Sequence, residues 1–221
     1  MISRLAFIVL CGLWLAGAPG AATAAPARPA PMLAPPSGAV VNVSTEPQLQ
    51  AAIRSLASNT TIVLAPGEYR LTSTLYLNRA LTNMAIRGAS TNADDVVIAG
   101  PGMTQAAYGD APFGIWTGGG VDGILIANLT VRDFYFHNII FNPGTIAPRV
   151  YNVHLIDSGE QFIKGNPNPQ GVGVPRGIVE YSVFEFTTTA RDAYPEGVDV
   201  HGGADWIIRH NLFRNLVAPP G

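Results

Sequence analysis

Apolar residues follow two patterns along the chain, and only one stretch places them at the helical period. Leu49, Ala52, Ile53 and Leu56 recur at the three- and four-residue spacing of a single helix face. Thr45 with Gln48 three residues later reads as a capping-box start, and Pro47 suits a first turn, so the spacing predicts a short amphipathic helix over 46–57. After it come short apolar runs such as Ile62-Val63-Leu64, Leu75-Tyr76-Leu77, Met84-Ala85-Ile86, Val96-Val97-Ile98 and Ile124-Leu125-Ile126. Gly, Asn, Asp and Pro separate them, which predicts short strands joined by turns and an all-β protein.

Strand spacing alone leaves a sandwich or a barrel open, and self-similarity discriminates. Leu129-Thr130-Val131-Arg132-Asp133 aligns with Val153-His154-Leu155-Ile156-Asp157, then with Val183-Phe184-Glu185 and Leu212-Phe213-Arg214, in steps of 24, 29 and 29 residues. A second apolar strand follows each of the first three: Ile139-Ile140-Phe141, Phe162-Ile163-Lys164 and Val198-Asp199-Val200-His201. Asn128 and Asn211 fall close to equivalent places, where stacked asparagines can share hydrogen bonds. A repeat of this length holding several short strands reads as one coil of a parallel β-helix, too thin to bury its own side chains and stabilised by stacking on its neighbours.

Targeting and composition narrow the partners. Arg4, the apolar run Leu5 to Leu15 and the small residues Ala22-Thr23-Ala24 have the layout of a secretory signal peptide over 1–24. Pro19-Gly20 interrupts the run before it reaches the length of about 20 residues that a membrane span needs, so membrane insertion after cleavage is not expected. The only cysteine, Cys11, lies in that leader, and an exported domain without disulfides depends on its own core. Residues 25–40 are a Pro/Ala-rich linker, leaving 41–221 as the folded domain, secreted or periplasmic. Charged residues are 13% of the sequence with a net charge of −2, which argues against a nucleic-acid partner and fits an extracellular polysaccharide. The sequence stops at Pro219-Pro220-Gly221 soon after a strand, which suggests a product truncated at its C-terminal end.

The segment Thr60-Thr61-Ile62-Val63-Leu64-Ala65-Pro66-Gly67-Glu68-Tyr69, with the helix before it, resembles the opening of pectate-lyase-like right-handed parallel β-helix proteins. Asn83-Met84-Ala85-Ile86-Arg87-Gly88 and Asp205-Trp206-Ile207-Ile208-Arg209-His210-Asn211-Leu212-Phe213 resemble early and late rungs of that superfamily. The resemblance implies a right-handed β-helix whose short N-terminal helix caps the coil, and an action on polysaccharide. It carries no intact catalytic set. The Asn-x-Asp, Gly-His-Gly and Arg-x-Lys elements of polygalacturonase-type hydrolases are absent, as is the Trp-x-Asp-His of pectate lyases. Asp199-Val200-His201 has the spacing of the Asp-Pro-His of alginate epimerases without the proline.

Outward positions of successive rungs stack into columns. Aligning Ile139, Gln161 and Val198 inward, with Phe141, Ile163 and Val200 next, places Asn142, Lys164 and His201 one above another on a solvent face with Asp199 adjacent. Such a cluster suits β-elimination from a uronic acid, which needs a base, an acid for the leaving oxygen and a cation on the sugar carboxylate. Lys164 is a candidate base if positive neighbours lower its pKa, and His201 a candidate base or acid. Asn142, Arg176 and Arg191 are the substrate-binding candidates, the arginines as holders of the carboxylate. Asp157, Glu160 and Glu196 are candidate ligands for Ca2+. Phe134-Tyr135-Phe136 and Trp206 can stack on sugar or pack in the core, and His137, His154 and His210 read as structural. The expected function is a lyase or epimerase on uronate-containing glycans. A non-catalytic glycan-binding or cell-surface β-helix and an inactive truncated remnant are the alternatives.

Overall fold

The helix forms over Glu46–Ser55. The Thr45 hydroxyl accepts from the Gln48 N–H (3.4 Å), while Gln48 Oε1 accepts from the N–H of Ser44 (2.8 Å), so the reciprocal cap reaches one residue further back than expected. At the other end the Arg79 guanidinium donates to the carbonyls of Ile53 and Leu56 (3.0 and 2.9 Å). It supplements the Leu56 N–H on the Ile53 carbonyl and satisfies the Leu56 carbonyl at the helix end, and the helix stops two residues short of the expected 57. The computed structural model describes residues 28–219, so the leader read over 1–24 lies outside the described residues.

Beyond the helix the chain is mostly β, in large parallel sheets. Sheet A runs in the order Ala39–Val43, Thr60–Leu64, Ala85–Gly88, Leu125–Phe134, Arg149–Ser158, Ile178–Glu180, Ile207–Arg209. Sheet B runs Ser73–Asn78, Asp110–Gly118, Ile139–Phe141, Ile163–Gly165, Val198–Val200. Parallel neighbours need a crossover, and each sheet supplies the crossover of the other: the chain alternates between them and returns one strand further along. Val131, Leu155, Phe184 and Phe213 pair in register, so the steps of 24, 29 and 29 residues are those of the structure.

Sheet A is creased along one line. Asn128, Asn152, Tyr181 and His210 have φ of 55, 50, 56 and 59°, a left-handed conformation that asparagine tolerates better than most residues. Asn152 Nδ2 donates to Asn128 Oδ1 (2.9 Å). Asn211 lies one residue past this column, and its Oδ1 accepts from the Ser182 N–H (2.9 Å). The crease gives each pass three short straight runs around one core, an arrangement compatible with a β-helix. Ile62, Ile86, Ile126, Val150 and Val179 form one fully buried column from sheet A, and Leu75, Ile115, Ile139 and Ile163 another from sheet B. Each such side chain contributes roughly 1.5–3 kcal/mol of burial. Helix residues Leu49 and Ile53 join the same cluster.

The Pro/Ala-rich segment from residue 28 runs along the outside of sheet A. Arg87 Nη1 donates to the Ala34 carbonyl (2.9 Å), and the Tyr151 hydroxyl donates to that of Pro31. Strand pairing begins at Ala39. Among the described residues no helix is long and apolar enough to cross a membrane.

Candidate functional site

With Leu75, Ile115, Ile139 and Ile163 turned into the core, the next residues of the sheet B strands form an outward column: Tyr76, Trp116, Ile140, Lys164 and Asp199. This register corrects the alignment drawn from the sequence, which set Gln161 beside Ile139. Ile139 pairs with Ile163, which gains from burial in the apolar column, while Gln161 is buried beside it with its Nε2 on Glu196 Oε2. Phe162, fully buried against Phe184 and Phe186, locks that choice. Lys164 therefore shares its level with Ile140 and Asp199 instead of Asn142 and His201. One position past the paired strands, the residue between Asn142 and His201 is Asn166, whose Nδ2 donates to Asn142 Oδ1 (2.9 Å).

Three of the chosen residues do meet. Lys164 Nζ donates to Asp199 Oδ2, and His201 Nε2 lies 2.9 Å from Asp199 Oδ1. The Lys164 and Asp199 side chains are 14% and 18% exposed, whereas His201 is 60% exposed. In the neutral ring, a carboxylate beside Nε2 favours the proton on that nitrogen, which makes Nδ1 the acceptor. The neighbour in contact with Lys164 is thus a carboxylate rather than the positive charge that the base role required. An ammonium has three N–H donors, and with one on Asp199 two remain for a ligand.

His137 adjoins this cluster. Its ring stacks on Phe113, its Nδ1 lies 3.2 Å from the Gln161 carbonyl, and its Nε2 lies 3.7 Å from Glu160 Oε2. Burial is the main cause that holds its pKa down at about 4; Lys164 and Arg191 push the same way, while the Gln161 carbonyl and Asp199 oppose. The imidazole is therefore neutral at pH 7, with Nδ1–H donating to the carbonyl.

The two arginines read as carboxylate holders sit in different surroundings. Arg191 donates to the Tyr135 carbonyl, to Asp192 Oδ2 (2.9 Å) and to Glu160 Oε1 (3.3 Å), with its guanidinium 4.1 Å over the Tyr135 ring. All three of its nitrogens are engaged, and it ties the loop between Phe186 and Val198 to the turn before Ile139. Arg176 stands exposed at a corner with φ 58°, its backbone N–H on the Ala204 carbonyl, at the entrance to sheet A.

The proposed calcium ligands do not converge either. Asp157 accepts from the N–H (2.8 Å) and hydroxyl of Thr187, Glu160 pairs with Arg191, and Glu196 Oε2 accepts from Gln161 Nε2 (2.8 Å). Each carboxylate has a protein partner, and among the described residues no three His, Cys, Asp or Glu side chains gather in a metal cage. Asn142 joins an amide ladder, its Nδ2 buried without a protein partner.

The sequence reading passed over Tyr76 and Trp116 as site residues. A uniform step of 24 from Trp116 through Ile140 to Lys164 was the available signal. Of the aromatics it singled out, Phe134 is buried, Tyr135 and Phe136 pack on Tyr108, and Trp206 Nε1 donates to the Val174 carbonyl.

No protein family and no curated protein matches the sequence. Among solved structures, the chain is similar to an alginate lyase from Paenibacillus sp. strain FPU-7, with 13% identity and a TM-score of 0.56 over 79% of this chain and 66% of that one. It is also similar to a candidate glycosyl hydrolase from Parabacteroides merdae, with 13% identity and a TM-score of 0.53 over 82% of this chain and 80% of that one. The chain thus spans just under two thirds of the alginate lyase's length. At this identity the likeness is one of fold, a parallel-sheet architecture common to all three.

Proposed function

We propose that this chain is an exported, right-handed parallel β-helix protein of the pectate-lyase-like kind. In this reading the helix Glu46–Ser55 caps the coil, and the outer face of sheet B acts on a uronate-containing extracellular polysaccharide by β-elimination. The observation that carries the reading is the cluster of Lys164, Asp199 and His201, a fixed cation beside an imidazole whose Nδ1 is free to take a proton. The fold shared with an alginate lyase adds support.

The chemistry follows from those positions. The two free N–H groups of Lys164 pair with the sugar carboxylate and stabilise the negative charge that builds on it as the adjacent carbon loses its proton. His201 Nδ1 takes that proton. The electron pair of the broken C5–H bond forms the C4=C5 double bond as the C4–O bond to the leaving sugar breaks. The imidazolium then returns the proton to the departing oxygen, so one residue is base and acid in turn. Asp199 compensates the imidazolium charge during that interval. Delivery of a proton from water to the opposite face of C5, with the C4–O bond kept, would instead make the protein an epimerase, the abstracted proton leaving His201 to solvent.

The test is incubation of the protein with alginate, pectate and glycosaminoglycans while following the ultraviolet absorbance of the unsaturated product. New absorbance that falls by a factor on the order of 10²–10⁴ in Lys164→Ala and in His201→Ala supports elimination. Retention on a glycan column without product or epimerised sugar favours a binding protein. Product formation undiminished in both variants would overturn the assignment of this cluster.

A further inference from the structure

The outward column does not end at the charged cluster. Two strands from Lys164, the same line carries Trp116 and then Tyr76, their ring centroids 4.4 Å apart. Gly118 leaves the indole its room, since a Cβ there would stand 2.7 Å from the ring, and Asn78 Nδ2 donates to the Tyr76 hydroxyl (2.9 Å). The pair borders a cavity of about 480 Å3 between sheet B and the helix, closed on other sides by Phe113 and Ile53. Its rim is polar: Arg54 and Asp110 are exposed there, and no side-chain partner holds either among the described residues.

Apolar ring surface with a polar, partly cationic rim matches a pyranose, which offers an apolar C–H face ringed by hydroxyls. An apolar peptide would leave Arg54 and Asp110 unsatisfied. Neighbouring strands are about 4.8 Å apart, so Trp116 lies about 10 Å along the column from Lys164, within reach of one chain of linked sugars. We infer that Tyr76 and Trp116 form a binding subsite for a sugar unit of a uronate chain lying along the sheet B column, with Arg54 facing that unit's carboxylate. The inference rests on the proposed reaction for the identity of the chain, and on the cavity for the subsite itself.

Defined oligouronates from alginate and from pectate, two to six units long, would be titrated calorimetrically into the wild type, Trp116→Ala and Trp116→Phe. In the wild type affinity rises once the chain is long enough to reach the cavity. Trp116→Ala loses that rise, roughly tenfold for the longest chains, while the shortest bind as before. Trp116→Phe keeps most of it, which separates a lost ring from a lost fold. In turnover, Trp116→Ala raises KM with kcat unchanged. Long and short chains binding the alanine variant as they bind the wild type would overturn the subsite while leaving the reaction intact. Trp116-dependent binding with neither elimination nor epimerisation would overturn the reaction and support the subsite. Failure of every oligouronate to bind the wild type would remove both.

Discussion

Lowering the pH should destabilise this protein through one residue, His137. Unfolded, its imidazole titrates near the ordinary value of about 6.5; folded, it is buried and titrates at about 4. Between those two values the unfolded chain binds the extra proton and the folded chain does not, so stability falls as pH falls, and below about 4 the loss is complete. The gap corresponds to about 3 kcal/mol in full, and about 2 kcal/mol is already lost between pH 7 and pH 5. For a domain of this size that is a melting shift of roughly 4–8 °C. Carboxylates also titrate in this range, so the comparison must be with His137→Gln, which can still donate to the Gln161 carbonyl but cannot ionise. Thermal melting followed by circular dichroism at pH 7 and pH 5 should show the wild type losing about 2 kcal/mol more than the variant. Parallel losses would mean that His137 is protonated in the folded state, and that its Nε2 makes an ion pair with Glu160 across the 3.7 Å now separating them.

Other perturbations probe separate parts of the same structure. Phe162→Ala removes a fully buried ring packed on Phe184 and Phe186 and should cost about 3–5 kcal/mol in denaturant unfolding. Arg191→Ala frees the loop between Phe186 and Val198 and should cost about 1–3 kcal/mol, with faster proteolysis of that loop. Glu180 is buried, which alone would raise its pKa, yet hydrogen bonds from Arg149 and Arg209 bring it below the usual carboxylate value. Glu180→Gln should therefore cost about 1–2 kcal/mol at pH 7, because Arg149 and Arg209 are partly exposed and water screens their lost partner, and the difference from wild type should shrink as acid protonates the native carboxylate.

Much of the fold was legible because it is repetitive. Val131, Leu155 and Phe184 pair at the steps the sequence shows, since each coil must offer an apolar residue at the same level. The site was less legible for two physical reasons. Its register rests on Phe162 turning inward, and a fully buried Phe162 beside an outward Lys164 breaks the simple alternation that the alignment assumed. Its aromatic end lies across the long step from Tyr76 to Trp116, where the even spacing fails and a search for repeats loses the column. The commitments of Arg191 were invisible for another reason: Tyr135 and Glu160 reach it only through the folded loop.

The two outer faces differ in how they use charge, and that difference bears on where the activity sits. On sheet A, Glu68 bridges Arg70 and Arg132 (2.7 and 3.0 Å), and Glu180 bridges Arg149 and Arg209 (2.6 and 2.8 Å). His154 lies between Asp94 and Glu185, with Arg214 on the far side of Glu185. Apart from Glu68 and Arg70, which share the strand Gly67–Arg70, these partners come from different rungs, so the ladders fix the register of stacked coils, and the chain from residue 28 lies over part of the same face. Sheet B does without such ladders across Tyr76, Trp116 and Ile140, because those rungs hold together through the apolar columns beneath them. Its ionic group is the compact one at Lys164, where the His201 side chain is mostly exposed and Lys164 keeps two donors unused by Asp199. A face whose stacking needs no polar help can leave such groups unmatched, and unmatched groups on a stable wall are what a ligand can bind.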